Sequence, residues 1–315
     1  MTIGVYYEHI LAAARQRGEA LPKLCAAVRA FGYEAVAPQA AHLLRDEALL
    51  PMLSREGLRA EGIYERFSFD GTAEEEKRTE QVTAVCERAG ARYLLAVLPM
   101  LREKEADRSS AEYARRREAL AQGLERLCAQ AQRRGITVLL EPFDAPLSPT
   151  AYSKELLWYF RRIDGLFCAF DTGNPVVCGE DAEKILPALL PYIRIVHAKD
   201  RTFCANGMNG KKTPSGAAVY PAAAGQGDLP LFEILKTLRQ SGFDGPVFAE
   251  HFEHADELLA MSNPRVFCSS RFPKRNKHGA QKLFASKKTF RTRKGFRKQK
   301  NLIRNAVFSK NGSRL

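Results

Sequence analysis

Four times in the first 260 residues an amphipathic stretch runs into a glycine, and a short apolar run follows at once. Leu21, Leu24, Cys25 and Val28 precede Gly32 and then Tyr-Glu-Ala-Val-Ala-Pro. Val82, Val85, Cys86 and Ala89 precede Gly90 and the run from Tyr93 to Pro99. Leu120, Leu124, Leu127, Cys128 and Ala131 precede Gly135 and Ile-Thr-Val-Leu-Leu-Glu-Pro. Leu231, Leu235 and Leu238 precede Gly242 and Pro-Val-Phe-Ala-Glu-His. Spacing of three and four buries one stripe of a helix. A glycine after the last turn takes the left-handed cap at little steric cost.

The runs after the glycines are continuous rather than alternating, as in parallel strands covered by helices on both faces. Eight such runs are expected to be strands: 3–6, 34–37, 58–64, 93–98, 136–141, 166–171, 192–197 and 246–250. Eight strands alternating with helices in about 260 residues predict an α/β fold, a (β/α)8 TIM barrel. A doubly wound open sheet is the alternative, but no Gly-rich phosphate turn follows Ile3–Tyr6. The last unit reads as incomplete. His251–Met261 begins a helical pattern that Asn263-Pro264 stops, which predicts a truncated eighth helix.

Charge divides the chain. Of its 49 Lys and Arg residues, 17 fall in residues 262–315, which contain no Asp or Glu. The remaining 32 face all 36 acidic residues, so residues 1–261 carry a net charge of −4 while the whole chain carries +13. The expected organisation is a barrel over 1–261 and a basic, low-order tail over 262–315. Blocks of like charge resist compact order. The abrupt change, inside the unit that should close the barrel, reads as a replaced ending, such as a shift of reading frame produces. A nucleic-acid-binding arm with Phe284, Phe290 and Phe296 is the functional alternative. Seven cysteines without a C-x-x-C pair argue against a disulfide framework or thiolate zinc site. No apolar run approaches the roughly 18 residues of a membrane span, and the N-terminus has no signal-peptide pattern. A cytoplasmic protein is expected, with no membrane partner and with a homodimer left open.

The chemistry concentrates where four apolar runs end. Glu141 closes Ile-Thr-Val-Leu-Leu-Glu, Asp171 closes Leu-Phe-Cys-Ala-Phe-Asp, His197 closes Ile-Arg-Ile-Val-His, and Glu250 closes Pro-Val-Phe-Ala-Glu. The C-terminal ends of barrel strands share the face that carries active sites. An ionisable group after four or five apolar residues is costly to desolvate unless paired or metal-bound. Three carboxylates and an imidazole suit one divalent ion, Mn2+ or Mg2+, with Co2+ or Zn2+ as alternatives.

In this order the motifs resemble the xylose isomerase-like barrel superfamily of sugar and sugar-phosphate isomerases and epimerases. They are Leu-Glu-Pro-Phe-Asp around Glu141, Asp-Thr-Gly-Asn from Asp171 to Asn174, Val-His-Ala-Lys-Asp around His197, Gly-Gln-Gly-Asp at 225–228 and Phe-Ala-Glu-His around Glu250. The resemblance covers about residues 1–260. It implies that Glu141, Asp171, His197 and Glu250 are the metal ligands and that Glu141 and Glu250 are the catalytic acid/base pair. The implied substrate is a sugar or sugar phosphate. The implied reaction is proton removal beside a carbonyl, with the resulting enediolate stabilised by the metal as Lewis acid. Opposite-face glutamates give an epimerase, and same-face return to the adjacent carbon gives an isomerase. The chain departs from free-ketohexose epimerases in having Leu147 where they carry a further glutamate and Asn174 where they carry a histidine.

Weaker signals surround the four. Asn174 and Asp144 are expected to bind substrate hydroxyls or to cap the next helices. Lys199, Asp200 and Arg201 are expected to meet a substrate phosphate or carboxylate, or to form a rim salt bridge. The Gly-rich stretch 201–228 is long enough for a lid or binding loop. Tyr6 and Tyr7 are candidates to line a sugar pocket, and Trp158 reads as core. His251 and His254 read as supporting or surface groups. Two rival functions remain. One is an abasic-site endonuclease, which calls for more histidines than the strand ends supply: Pro38 and Glu65 end the second and third runs, and His9, His42 and His254 are the spare histidines. The other is a sugar-binding barrel impaired in catalysis, which the incomplete last unit favours and intact Glu141 and Glu250 disfavour. Nucleic acid is expected to bind only non-specifically, through the tail.

Overall fold

The computed structural model describes residues 1–252 and 254–262. The strands are β1 (Ile3–Tyr6), β2 (Ala35–Ala37), β3 (Arg59–Ala60), β4 (Gly62–Arg66), β5 (Tyr93–Val97), β6 (Thr137–Leu140), β7 (Leu166–Asp171), β8 (Ile193–Thr202), β9 (Lys211–Lys212), β10 (Ala218–Ala222) and β11 (Val247–Glu250). The α-helices are α1 (Tyr7–Arg17), α2 (Leu21–Phe31), α3 (Ala40–Arg45), α4 (Leu49–Arg55), α5 (Ala73–Ala89), α6 (Ala111–Gln132), α7 (Ser153–Arg162), α8 (Ala182–Leu189), α9 (Leu231–Gln240) and α10 (Glu257–Met261). No helix among the described residues is long and apolar enough to cross a membrane.

Nine strands form one path in the order β3-β2-β1-β11-β8-β7-β6-β5-β4, and every pairing along it is parallel. The two ends of the path, β3 and β4, are consecutive in the chain, and a parallel bridge from Gln39 to Tyr64 spans the gap. The architecture is a (β/α)8 barrel whose third strand is broken. The expectation of a single strand over 58–64 is thereby corrected. The Glu61 amide turns back onto the Arg59 carbonyl at 3.1 Å, a three-residue turn that leaves the ladder. Arg59 Nε at 2.8 Å and Arg92 Nε at 2.6 Å hold the Glu61 carboxylate there.

Alternate residues of a strand face opposite sides of the sheet. The inward series, Tyr6, Ala35, Ala37, Leu95, Val97, Leu139, Ala169, Ile195 and Phe248, packs into a core inside the barrel. Phe248 occupies space that only glycine leaves free, since a Cβ on Gly4 would lie 2.4 Å from its ring. The outward series, with Val5, Val36, Leu94, Val138, Cys168 and Val196, joins the stripes of the helices. Val82, Val85 and Cys86 of α5, Leu120, Leu124 and Leu127 of α6, and Ile234, Leu235 and Leu238 of α9 are buried against it. Each large aliphatic side chain so buried contributes about 1.5–3 kcal/mol. Burial on both faces explains the continuous apolar runs.

One further feature departs from the sequence reading, whereas the short eighth helix agrees with it. The stretch 201–228 is not all loop. β8 runs on to Thr202, β10 folds back antiparallel to it with Ala222 opposite Asp200, and β9 pairs with β10. Pro221 suits such an edge position, where a missing N–H costs no ladder bond. After β11 comes α10, five residues long, with Met261 buried and Arg17 of α1 bound to Asp256 at 2.7 Å. The basic stretch from residue 263 onward, including Cys268, lies outside the described residues.

Candidate metal centre

Each of the four strand-end residues continues an inward-facing series. Glu141, Asp171, His197 and Glu250 stand two residues beyond Leu139, Ala169, Ile195 and Phe248. Their strands, β6, β7, β8 and β11, are consecutive neighbours in the sheet. The register sets Asp171 beside His197 and Glu250 beside Lys199. The result is a buried cluster in which one ligand atom from each of the four lies within 4.8 Å of the others.

His197 Nδ1 lies 2.9 Å from Glu141 Oε2 and 3.5 Å from Glu250 Oε2. The Tyr6 hydroxyl sits 3.2 Å from the Nε2 of the same ring, which fixes the ring from the β1 side. Asp171 Oδ1 accepts the amides of Gly173 and Asn174 at 2.8 and 2.6 Å. Its other oxygen, Oδ2, is buried without a hydrogen-bond partner, as is Glu250 Oε2. Buried carboxylate oxygens left without donors are costly. Two of them aimed into a set of three carboxylates and one imidazole fit a divalent ion of the Mg2+, Mn2+ or Zn2+ kind.

Within the cluster the charges lean on one another. Burial pushes the Asp171 carboxyl well above its ordinary range. Burial also raises Glu141, and the hydrogen bond from His197 offsets this only in part. Glu250 is buried as well, yet the Lys199 ammonium and His197 outweigh burial and hold it below the usual carboxylate value. Burial disfavours a charged His197, but its contacts with Glu141 and Glu250 prevail and raise it. Lys199 is raised in the same way, by Glu250, Asp171 and Asp144 against burial.

The other expected site residues divide. Lys199 enters the cluster, with Nζ 2.6 Å from Glu250 Oε1 and 3.9 Å from Asp171 Oδ2. Asp144 Oδ2 receives Arg201 at 2.5 Å and Lys211 at 2.7 Å. Asp200 is engaged elsewhere: its oxygens accept the amides of Arg201, Gly225, Gly227 and Leu229. A Cβ on Gly227 would lie 2.2 Å from that carboxylate, so Asp200 and the Gly-Gln-Gly turn fit only as found. Asn174 Nδ2 donates to the Pro142 carbonyl at 2.9 Å, while its Oδ1 is buried without a partner. Tyr7 packs against His42 and Trp158 against Arg117, both in the helix layer. Glu65 faces outward to Gln39 and Arg78, away from the mouth.

Lys211 was not among the expected residues. Its signal was present, because Lys211 and Lys212 are the only basic residues between Thr202 and Pro230. The histidines gave another surprise. His251 is buried and forms a second cluster with His9 and Glu257. His9 Nδ1 and His251 Nε2 lie 3.2 and 3.0 Å from Glu257 Oε2. His9 Nε2 accepts the His251 amide at 3.1 Å, so the ring proton of a neutral His9 sits on Nδ1 and points at Glu257. The trio clamps α1 and α10 to the residue after Glu250.

Two larger clefts open elsewhere on the barrel. One of about 430 Å3 lies between α5 and α6, and one of about 650 Å3 lies beside Phe203 and Pro214. None of the four clustered residues reaches either.

Residues 25–269 match the family described as xylose isomerase-like TIM barrel. Among solved structures, a probable 3-DHS dehydratase of petrobactin synthesis from Bacillus anthracis is 16% identical, over 84% of this chain and 98% of that one, with a TM-score of 0.65. D-Psicose 3-epimerase from Clostridium cellulolyticum H10, solved with D-tagatose, is 13% identical over 86% and 99% of the two chains, at 0.64. A xylose isomerase-like TIM barrel protein from Mycobacterium smegmatis, in complex with magnesium, is 18% identical over 78% and 86%, at 0.61. At such identities the likeness is one of fold. No curated protein matches the chain.

Proposed function

The chain belongs to the xylose isomerase-like TIM barrel family, and on that premise we propose that it is a divalent-metal-dependent isomerase or epimerase of a sugar or sugar phosphate. The observation that carries this reading is the convergence of Glu141, Asp171, His197 and Glu250 within 4.8 Å at the ends of four neighbouring strands. A divalent ion held there would supply Lewis-acid stabilisation of the negative charge that proton removal leaves on the substrate.

The protein's own part is proton transfer. Glu250, paired with Lys199 at 2.6 Å, is the group that takes the proton from the carbon next to the carbonyl. Glu141, which shares His197 Nδ1 with Glu250, is the group that returns one. Return to the same carbon from the opposite face inverts it, and return to the neighbouring carbon moves the carbonyl. Tyr6 holds the His197 ring in place. Asp171 gives one oxygen to its own turn and the other to the site. In this reading residues 1–261 carry the activity and the basic stretch from 262 has no part in it.

The test is a screen of ketoses and ketose phosphates with Mn2+ in deuterated water. Deuterium at the carbon beside the carbonyl of product, dependent on the metal, supports the reading. Metal-bound protein that exchanges no substrate proton across that panel argues against it.

A further inference from the structure

Asp144 Oδ2 is addressed by three cations at once. Arg201 lies at 2.5 Å, Lys211 at 2.7 Å and Lys199 at 3.9 Å. These groups, with His251 and Phe252, line a narrow cavity of about 60 Å3 next to the four-residue cluster. That is room for a few water molecules, or for one compact polar group. Arg201 and Asp144 are buried, whereas Lys211 is about 42% exposed and reaches in from β9.

Asp200 also lines the cavity, but its carboxylate is taken up by the amides of Arg201, Gly225, Gly227 and Leu229. With all carboxylates ionised, Glu141, Asp171, Glu250 and Asp144 face Lys199, Arg201 and Lys211: four formal negative charges against three positive. A divalent ion among the first three carboxylates turns that deficit into an excess of one positive charge. The excess falls on the Asp144 side, where Arg201 and Lys211 share a single carboxylate. Lys199 adds to it, because a cation that occupies Glu250 and Asp171 leaves Asp144 as its remaining acidic neighbour. Uncompensated charge in a mostly buried site is expensive, and a forked guanidinium beside an ammonium is the arrangement that receives oxyanions.

The geometry points to an anion subsite at Lys199, Arg201 and Lys211 that the divalent ion switches on, so that metal and the anionic group of a substrate bind cooperatively. This inference rests on the proposed metal site and narrows its substrates to those bearing a carboxylate or phosphate near the reacting carbons. Lys211 is the specificity-determining residue, since it is the one cation of the three that comes from the β9–β10 excursion rather than from β8.

The full-length protein can be tested without knowing its substrate. Mn2+ binding is followed by the electron paramagnetic resonance of the free ion, at constant ionic strength, in chloride, sulfate or acetate. Sulfate stands for a phosphate group and acetate for a carboxylate, and the arm with the larger effect identifies the group. The expected result is at least about fivefold tighter Mn2+ binding with one of the two oxyanions, the lower end of ordinary coupling between sites. Reciprocity requires Mn2+ to tighten that oxyanion by the same factor, read by calorimetry. In Lys211→Met, Mn2+ should still bind in chloride while the coupling falls to within twofold of none. Mn2+ binding in wild type that is indifferent to both oxyanions overturns the subsite and leaves the metal site standing. Coupling that survives intact in Lys211→Met overturns the role of Lys211. Absence of Mn2+ binding in every arm overturns the metal reading and the subsite together.

Discussion

Lys199 Nζ lies 2.6 Å from Glu250 Oε1, and the two residues are register partners on adjacent parallel strands. Both side chains point into the barrel mouth because each is in phase with the inward series of its strand. The ammonium therefore sits among the carboxylates proposed to hold the metal and competes with it. Lys199→Met should strand a buried carboxylate and destabilise the metal-free protein by about 3 kcal/mol, the usual cost of breaking a buried pair. The same variant should bind Mn2+ about tenfold more tightly, since a like charge within a few ångströms has gone. Melting curves with and without Mn2+, and competition against a chelator, read the two effects. His197→Ala is the control that should lose the ion. Weaker metal binding in Lys199→Met would mean that the lysine supports the ion rather than opposing it.

Glu141→Gln and Glu250→Gln separate the two proton carriers. At saturating Mn2+, with occupancy measured alongside, each should lose turnover by at least about a hundredfold, the ordinary worth of a positioned acid or base. The distinguishing readout is solvent exchange. Glu250→Gln should stop deuterium entering the substrate, whereas Glu141→Gln should still allow exchange on the face that Glu250 serves. The reverse pattern would exchange their roles, and wild-type turnover in both metal-loaded variants would remove them from the chemistry.

The four strand-end residues were legible because a barrel buries both faces of its strands. Three of the four runs are apolar until the chain leaves the core, and the first charged residue then marks the mouth; in β8 Arg194 comes before His197. Asp200 was misleading for the same reason. It follows His197 in the sequence, but one residue's shift along β8 turns it to the opposite face, where the amides of Gly225, Gly227 and Leu229 collect on it. Nothing local announces those donors. The break at Glu61 was hidden because one of its causes, Arg92, lies 31 residues away. The His9–His251–Glu257 trio joins positions 242 apart in the chain, and only closure of β1 onto β11 brings them together. Lys211 was overlooked because the Gly-rich stretch around it conceals β9 and β10, of which β10 pairs with the far end of β8 and β9 pairs with β10.

Removing residues 262–315 should leave the metal affinity and any catalytic constants within a few-fold, because every proposed ligand lies before that point. Any DNA binding by the full chain should weaken steeply with salt and disappear in the truncated protein, as counterion release by Lys and Arg requires. DNA affinity that persists after truncation would return attention to the barrel itself as a nucleic-acid enzyme.

The clamp behind Glu250 should make the fold sensitive to mild acid. Burial lowers His9 from its ordinary 6.5 to about 4. Between those values the unfolded chain binds the proton and the folded one does not. The stabilising contribution is therefore complete above about pH 6.5 and is lost progressively as the pH falls toward 4, by up to about 3 kcal/mol at 1.36 kcal/mol per pKa unit. Glu257 titrates lower. Burial raises it, but the hydrogen bonds from His251 and His9 prevail and hold it at about 2, so its contribution is lost between 4.5 and 2. The window from pH 6.5 to 4.5 thus reports His9 with little interference from Glu257. His9→Gln keeps an acceptor for the His251 amide and removes the titrating ring. Urea unfolding across that window should show wild type losing stability relative to the variant with the slope of one proton, about 1.4 kcal/mol per pH unit, the raised groups of the metal cluster contributing equally to both. Equal slopes in the two proteins would show that His9 is free to charge in the folded state, and that the clamp does not depend on its neutral form.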